Sequence, residues 1–408
     1  MNILIIAYYY DQPGSGGTAR PRALFRHFTE AGHRVTMVTA GYRGDRREGP
    51  KVVVFDPSRN NDRRGANYFR WLGRRLAVEG LLRSGIYASV YSAWLRRAKR
   101  AAADILSTSA PNVILASYPP VEDLELGLYM SWMAGVPLVA EFRDGLVFEP
   151  VERRAMGFHS VRRQYRQLEE RLAREAAAIV TVSPPLSRYF REELGCRRVA
   201  TIPNGHDAMP PLRPLEPDPF PPGYFHIVHT GSISLSDRDC DLGYWVRGVE
   251  MTLVSSPGLG RRLRLHFAGK LRRREKHLLR SLVWAGIAQL HGFLSRETSL
   301  WMQGKADLLL LLTSGNRTSV ATAKLFEYMR SRRPVLALAA GTFAGEIVAE
   351  TGIGWAIPAD SPQDVCSALT AIMKGELTLP QPDEQAIARY DRKAQSNAYL
   401  SLLEQVCR

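Results

Sequence analysis

Short, unbroken apolar runs recur along this chain at helix-length intervals, and few folds accept that pattern. They begin with ILIIA at 3–7, then VTMVT at 35–39, VVVF at 52–55, VILAS at 113–117, PLVAEF at 137–142, AIVTVS at 178–183 and VATI at 199–202. A strand with one wet face alternates apolar and polar residues, whereas a run apolar at nearly every position must be covered on both faces. Covered strands separated by helical stretches are the parts of a parallel sheet joined by crossovers. Amphipathic stretches supply those crossovers, one carrying Leu24, Phe25 and Phe28, one over about 122–133 and one over about 159–178. Proline-dense residues 210–223 interrupt the pattern, which resumes with HIVHTG at 226–231, LRLHFAG at 263–269, IAQLHG at 287–292, LLLLLT at 308–313 and PVLALA at 334–339. The expectation is an α/β chain with a first domain over 1–209, a linker over 210–223, a second domain over 224–385 and a helical tail over 386–408.

Composition narrows the class. Apolar residues make up 45% of the 408 and charged residues 23%, which supplies two cores and argues against disorder. The four cysteines, at 196, 240, 366 and 407, form no Cys-x-x-Cys pair and fit neither a disulfide framework nor a thiolate zinc site. The N-terminal run lacks the basic start and the cleavage site of a signal peptide, and no stretch is long and charge-free enough to span a bilayer. A cytoplasmic protein is expected. Its formal charge of +15 draws phosphate groups of any kind, while no nucleic-acid-binding module is recognisable.

Several motifs carry chemistry. Gly14-Ser15-Gly16-Gly17-Thr18-Ala19 follows the first strand, as in dinucleotide-binding folds, but Thr39-Ala40-Gly41 stands where an acidic residue would close the second strand. That argues against NAD and leaves Gly16 and Gly17 as a loop a ligand can approach, or a tight turn. In the second domain, Ser319, Val320, Ala321 and Thr322 lie in a polar loop that enters a helix carrying Lys324, Leu325 and Glu327. Free N–H groups at a helix start form an anion site, with Lys324 adding charge and Thr322 a cap, and Glu327 one turn on can accept both hydroxyls of a ribose cis-diol. An ordinary Lys–Glu pair on a helix surface accounts for the same residues. Gly231 followed by Arg238, Gly269, and the triplet His291-Gly292-Phe293 all fall at strand ends, as if a ligand lay across the sheet edge. In the first domain Glu141-Phe142-Arg143-Asp144 ends a strand; Arg143 and Asp144 either pair with each other or face an interdomain cleft, as Asp207 can, and Asp144 is carried as a catalytic candidate. No histidine pattern suits a metal, and His226 and His229 point to opposite faces of their strand.

These residues bring a family into view. The chain resembles the retaining glycosyltransferases of the family-4 group, which have the GT-B fold of two Rossmann-like domains with parallel sheets facing across a cleft. The opening strand, Gly-Gly loop, Arg20-Pro21 helix start and Gly32-His33 strand entry resemble that family, as do Arg143-Asp144 and Ile202-Pro203-Asn204-Gly205-x-Asp207. Lys324-Leu325-Phe326-Glu327-Tyr328-Met329 followed by Arg333-Pro334-Val335 resembles its donor-site helix and is the most specific piece. The resemblance implies that Glu327 holds the ribose, that Arg238 with Lys324 neutralises the diphosphate, and that the C-terminal helix packs back on the first domain. Two places depart from the family: Ser319 stands where many members have a second glutamate, and Ser117-Tyr118-Pro119-Pro120 where many have a histidine.

The resemblance implies a hexosyl transfer with retention, from a nucleotide-diphosphate sugar to a glycan, lipid-linked or small-molecule hydroxyl, with no cofactor or essential metal. A non-catalytic nucleotide-sugar-binding homologue and a nucleotide-sugar epimerase are the alternatives. Residues 59–100 hold eleven Lys or Arg and only two acids, with aromatics between them. Trp94, Leu95 and Ala98 share one helical face there, which suggests an anionic membrane surface as a partner and a peripheral position on the inner face of the plasma membrane. Two ordinary packed helices with a solvated basic face are the plainer reading.

Overall fold

The computed structural model describes residues 1–11, 16–41, 44–57, 66–150, 153–234, 239–379 and 381–408. Contacts divide these into two units, Met1–Pro203 with Arg392–Arg408, and Asn204–Asp391.

The first unit is built on an eight-stranded sheet: β1 (Asn2–Ile6), β2 (Arg34–Gly41), β3 (Arg46–Glu48), β4 (Lys51–Phe55), β5 (Val113–Tyr118), β6 (Leu138–Phe142), β7 (Ala178–Thr181) and β8 (Val199–Thr201). Their spatial order is β3-β4-β2-β1-β5-β6-β7-β8. Every pairing is parallel except that of β3 with β4. The apolar runs anticipated as strands are strands. The exception, β3, consists of Arg46, Arg47 and Glu48, all exposed, and has no apolar signature because it covers nothing. Charge at an outer strand also discourages edge-to-edge pairing. The run at 178–183 stops being strand at Thr181 because Ser183 starts the next helix with Pro184 at its first position.

Two cores cover this sheet. On one face, strand residues such as Leu4, Ile114 and Phe142 pack under Trp94 and Ala98 of helix Ser92–Ser109, Leu124 and Leu128 of helix Val121–Ala134, and Leu168 and Leu172 of helix His159–Glu175. On the other, Ile3, Ile5 and Leu115 pack under Leu24 and Phe28 of helix Ala19–Glu30 and Tyr399, Leu402 and Leu403 of helix Arg392–Cys407. Trp94, Leu95 and Ala98 are therefore core residues, 0%, 8% and 0% exposed, and not an apolar face for a membrane. Their helix needs that face for its own sheet.

The second unit has six strands, all parallel: β9 (Phe225–Thr230), β10 (Leu263–Ala268), β11 (Ala288–Gly292), β12 (Leu308–Leu312), β13 (Val335–Leu338) and β14 (Gly354–Ile357), in the order β11-β10-β9-β12-β13-β14. β12 is LLLLL, buried at every position. β14 was not among the expected strands, being four residues that open on a glycine. That glycine is required, since a Cβ on Gly354 would lie 1.9 Å from the Val335 carbonyl oxygen.

In both units the strands run outward from the first one in two directions, β2 and β5 flanking β1, and β10 and β12 flanking β9. Where the order reverses, the two crossover connections leave on opposite faces and open a crevice at the carboxyl ends of the strands.

Candidate functional site

The crevice of the second unit lies beyond β9 and β12. The first three strands each end in glycine, and two N–H groups tie those ends together: Gly231 donates to Ala268 O at 2.6 Å and Gly269 to Gly292 O at 2.7 Å. Gly231 has φ +91°, and a Cβ there would sit 2.6 Å from Cε of Lys324. A Cβ on Gly269 would sit 2.3 Å from Gly231 O. Glycine thus lets the Lys324 stem lie on the loop backbone, and Lys324 Nζ donates to Ser232 O at 2.6 Å. The lysine spans from helix Ala323–Ser331 to the end of β9 and puts its charge over the crevice.

The surrounding groups suit that charge. His229 sits below with its Nδ1 2.9 Å from Leu310 O, and burial, then Lys324, pushes its pKa down to about 3, so it stays neutral. Tyr328, which burial pushes up to about 12, accepts from Thr230 N at 3.1 Å and fixes the helix to β9. Ser319 is buried, Val320 and Ala321 are half-buried, and Phe343 N donates to Thr318 O at 2.8 Å, which ties the loop to helix Phe343–Thr351. Leu325 is wholly buried and anchors the helix from below.

Thr322 stands at the N-cap position with extended backbone, but its hydroxyl caps nothing: the helix start takes no bond from it, and Oγ1 is buried without a partner among the described residues. The expected cap is therefore absent, and the first N–H groups of the helix lack the side-chain acceptor such positions usually have.

Glu327, one turn further, is part exposed, with Oε1 3.7 Å from Arg296 Nε; Arg296 also reaches Asp207 at 3.8 Å. Sequence reasoning did not single out Arg296. Its one signal is Ser295, whose hydroxyl caps helix Arg296–Lys305 by accepting from Thr298 N at 3.1 Å and so fixes where that arginine starts. Arg238 lies outside the described residues.

At the far side of the sheet edge, His291 ends a chain of three imidazoles. Its Nε2 is 3.1 Å from His266 Nδ1, His266 Nε2 is 3.0 Å from His226 Nδ1, and His226 Nε2 is 2.9 Å from Pro221 O. A carbonyl only accepts, so His226 donates from Nε2, and with one proton on each ring the chain runs one way: His266 and His291 also donate from Nε2. Burial pushes His266 down to about 3 and lowers His291, which keeps both uncharged. His291 Nδ1 is left as an acceptor beside Gly292 and Phe293, the latter 84% exposed. Spacing alone gave no hint of this chain, because its members come from three strands.

The crevice of the first unit is filled differently. Gly16–Thr18 form one turn of 3-10 helix after β1. Arg143, buried, donates to Gly17 O at 2.6 Å, Tyr118 O at 3.1 Å and Pro119 O at 3.2 Å. These bonds make Arg143 a clamp on the loop rather than the partner of Asp144, which is half-buried beside it. Glu141 is wholly buried and binds Arg20 at 2.8 Å and the Tyr399 hydroxyl at 2.5 Å.

Comparisons with known proteins agree with this architecture. Residues 15–205 match the family described as glycosyl transferase 4-like domain. No curated protein matches the chain in sequence. Among solved structures, sucrose-phosphate synthase from Thermosynechococcus elongatus superposes with TM-score 0.70 at 14% identity, covering 99% of this chain and 98% of that one. HepE from Anabaena, solved with UDP and glucose, gives 0.62 at 17% over 99% of each chain. The E. coli trehalose-6-phosphate structure bound with UDP-2-fluoro glucose gives 0.64 at 12%, again over 99% of each. Residues 15–205 are thus a glycosyl transferase 4-like domain, in a chain whose two Rossmann-like units give it the GT-B fold of glycosyltransferases.

Proposed function

We propose that the protein transfers a hexose, with retention, from a nucleotide-diphosphate sugar to a hydroxyl of a glycan or lipid-linked acceptor. The observation that carries this reading is Lys324 laid over Gly231, beside an uncapped helix start, at the topological switch point of the second unit. Phosphates find there a positive charge, backbone N–H groups and the Thr322 hydroxyl. Glu327, four bonds out from the same helix and held near Arg296, offers the acceptor pair a ribose needs. Relatives of the same fold solved with UDP or a UDP-sugar make UDP the first nucleotide to test.

In this mechanism Lys324 and Arg238 stabilise the diphosphate as it departs, when its charge is greatest, and no protein nucleophile is assigned. Ser319, Val320, Ala321 and Leu325 shape the phosphate loop, while Gly231, His291, Gly292 and Phe293 line the sheet edge where the rest of the donor lies. Asp144 is assigned to the acceptor hydroxyl, and the loop at Gly16 and Gly17 to the approach of the bound donor. A membrane-linked acceptor remains part of the reading, now on a smaller surface: Leu76, Leu81 and Ile86 are 60%, 43% and 54% exposed beside Arg74, Arg75 and Arg83. No helix among the described residues is long and apolar enough to cross a membrane, and the contact proposed here is a peripheral one on the cytoplasmic face.

Calorimetric titration with UDP tests the donor site. Glu327→Ala should weaken binding by about 1–3 kcal/mol, the scale of hydrogen bonds to a charged group. Equal affinity in wild type and variant would remove Glu327 from the nucleotide. NMR of the first-formed product then reads the anomeric outcome, and inversion would refute retention.

A further inference from the structure

The first unit contains a pocket of about 330 Å³ away from its sheet-edge crevice. Three helices wall it, Ser92–Ser109 contributing only Lys99. From Val121–Ala134 come Glu125, Leu128, Tyr129 and Trp132; from His159–Glu175 come Gln164, Gln167, Leu168 and Arg171. Each set has the spacing i, i+3, i+4, i+7 and is one stripe of its helix. Because a crossover helix runs antiparallel to the strands it joins, Trp132 in the last turn lies toward the sheet edge opposite the crevice.

Facing stripes of this kind are normally apolar, since they are how two helices pack. Here only the leucines keep that role, Leu128 4% and Leu168 6% exposed, and they form the floor. Around them stand amides, charges and an indole that is 78% exposed. A lone exposed tryptophan needs no explanation, but one beside planar polar groups over a recess is a different arrangement.

A pyranose has an apolar C–H face and a belt of hydroxyls. The face packs on an indole, and each hydroxyl wants one donor and one acceptor nearby. Gln164 and Gln167 provide both kinds, Glu125 accepts, and Arg171 and Lys99 donate. Several are set before a ligand arrives: Glu175 holds Arg171 Nε at 2.9 and 3.0 Å, and Lys99 Nζ lies 5.3 Å over the Tyr129 ring. Burial pushes the Glu125 carboxyl up despite Lys99, Gln164 and Arg171, so this acid sits in the recess rather than in bulk solvent. An acid inside the pocket disfavours a phosphate, and the amides disfavour a lipid chain.

We propose that this pocket binds a short oligosaccharide segment, with one sugar ring stacked on Trp132 and its hydroxyls bridged by Gln164, Gln167 and Glu125. The volume falls at the low end of small-molecule sites, which suits a sugar or two held at a surface. The assignment stands on the first unit alone. Under the transferase reading it holds glycan already made, away from the reacting hydroxyl.

The test is fluorine NMR of protein labelled with 5-fluorotryptophan, the Trp132 signal among seven being identified by Trp132→Phe. Maltohexaose, chitohexaose and an oligogalacturonate are titrated separately. At least one should move the Trp132 signal saturably, with the other six unmoved, and Gln164→Ala/Gln167→Ala should weaken that binding about tenfold or more. A Trp132 signal unmoved by all three at millimolar concentration overturns the proposal. So does binding equal in the double variant, or a signal that responds to anionic vesicles and to no sugar. UDP affinity measured on the same samples shows that the protein is folded and reports on the donor site separately.

Discussion

Replacing Arg20 with methionine should destabilise the first unit far more than a typical buried substitution, and more at neutral than at acidic pH. Arg20 is 5% exposed, and its NH1 donates to Glu141 Oε1 at 2.8 Å, Ile202 O at 3.0 Å and the Tyr399 hydroxyl at 2.9 Å. It also reaches Pro203 O. One guanidinium therefore joins the first helix, the centre of the sheet, the end of the last strand and the C-terminal helix. Removing it leaves the Glu141 carboxylate buried with its main counter-charge gone, a change that costs about 3–5 kcal/mol. For a unit of this size the melting temperature falls roughly 2–4 °C per kcal/mol, so a drop of roughly 6–20 °C is expected. Burial pushes the Glu141 carboxyl up, but Arg20 and Arg143 together hold it below its ordinary value. Wild type therefore gains stability above the unfolded carboxylate range and loses it as pH falls through the lower folded value. In the variant burial prevails, the folded value rises, and protonation relieves the stranded charge. The deficit against wild type should shrink as pH falls from about 7 to about 4. Thermal unfolding across that range, with hydrogen exchange of helix Arg392–Cys407, measures both effects, and Arg20→Met/Glu141→Gln should recover much of the loss. A neutral-pH deficit under about 1 kcal/mol, or one that grows in acid, would refute the reasoning.

Glu169 gives the opposite pH slope. It is wholly buried, accepts from Tyr189 OH at 2.6 Å and Val147 N at 3.0 Å, and burial pushes it up to about 7. Its folded value lies above the unfolded one, so its contribution is full below the ordinary glutamate range and declines through about 7, by at most about 3 kcal/mol. Glu169→Gln should flatten that part of a pH series of denaturant melts, and an unchanged slope would assign it elsewhere. Flotation tests the membrane reading: wild type should rise with anionic vesicles, and Arg74→Gln/Arg75→Gln/Arg83→Gln with Leu76→Ser should stay behind while binding UDP normally. Wild type left in solution at low salt would end that reading.

Patterns set by the backbone could be read from residues alone. Runs such as LLLLLT must be covered on both faces, so the sheets and their crossovers follow, and the helix bearing Lys324 and Glu327 necessarily starts at a sheet edge. β3, which covers nothing, left no apolar trace to read, and β14 is only four residues opening on a glycine. Side-chain meetings between distant segments were also hidden. Nothing in a linear pattern tells that Arg20, Glu141 and Tyr399 share one buried cluster, or that His226, His266 and His291 donate in series. The same blindness left Arg143 either paired with Asp144 or facing a cleft, when it clamps the carbonyls of Gly17, Tyr118 and Pro119. Charge at the end of a central strand looked costly unless used in chemistry, when it is instead neutralised by partners far off in the chain.

The two crevices show why equal topology does not mean equal chemistry. Both units run their strands out from the first in two directions, and both place a glycine loop after that strand. In the first unit a guanidinium occupies the loop, bonded to the carbonyls of Gly17, Tyr118 and Pro119. A cation spent on carbonyls within the fold has little field to offer a phosphate. In the second unit the cation reaches the loop from the helix beyond β12 and donates to Ser232 O, and the start of that helix points at the same place without a side-chain acceptor. A phosphate gains charge and N–H donors there without displacing a buried clamp. That asymmetry supports the proposal that the diphosphate binds in the second unit and that the partner carrying the hydroxyl uses the first unit's surfaces.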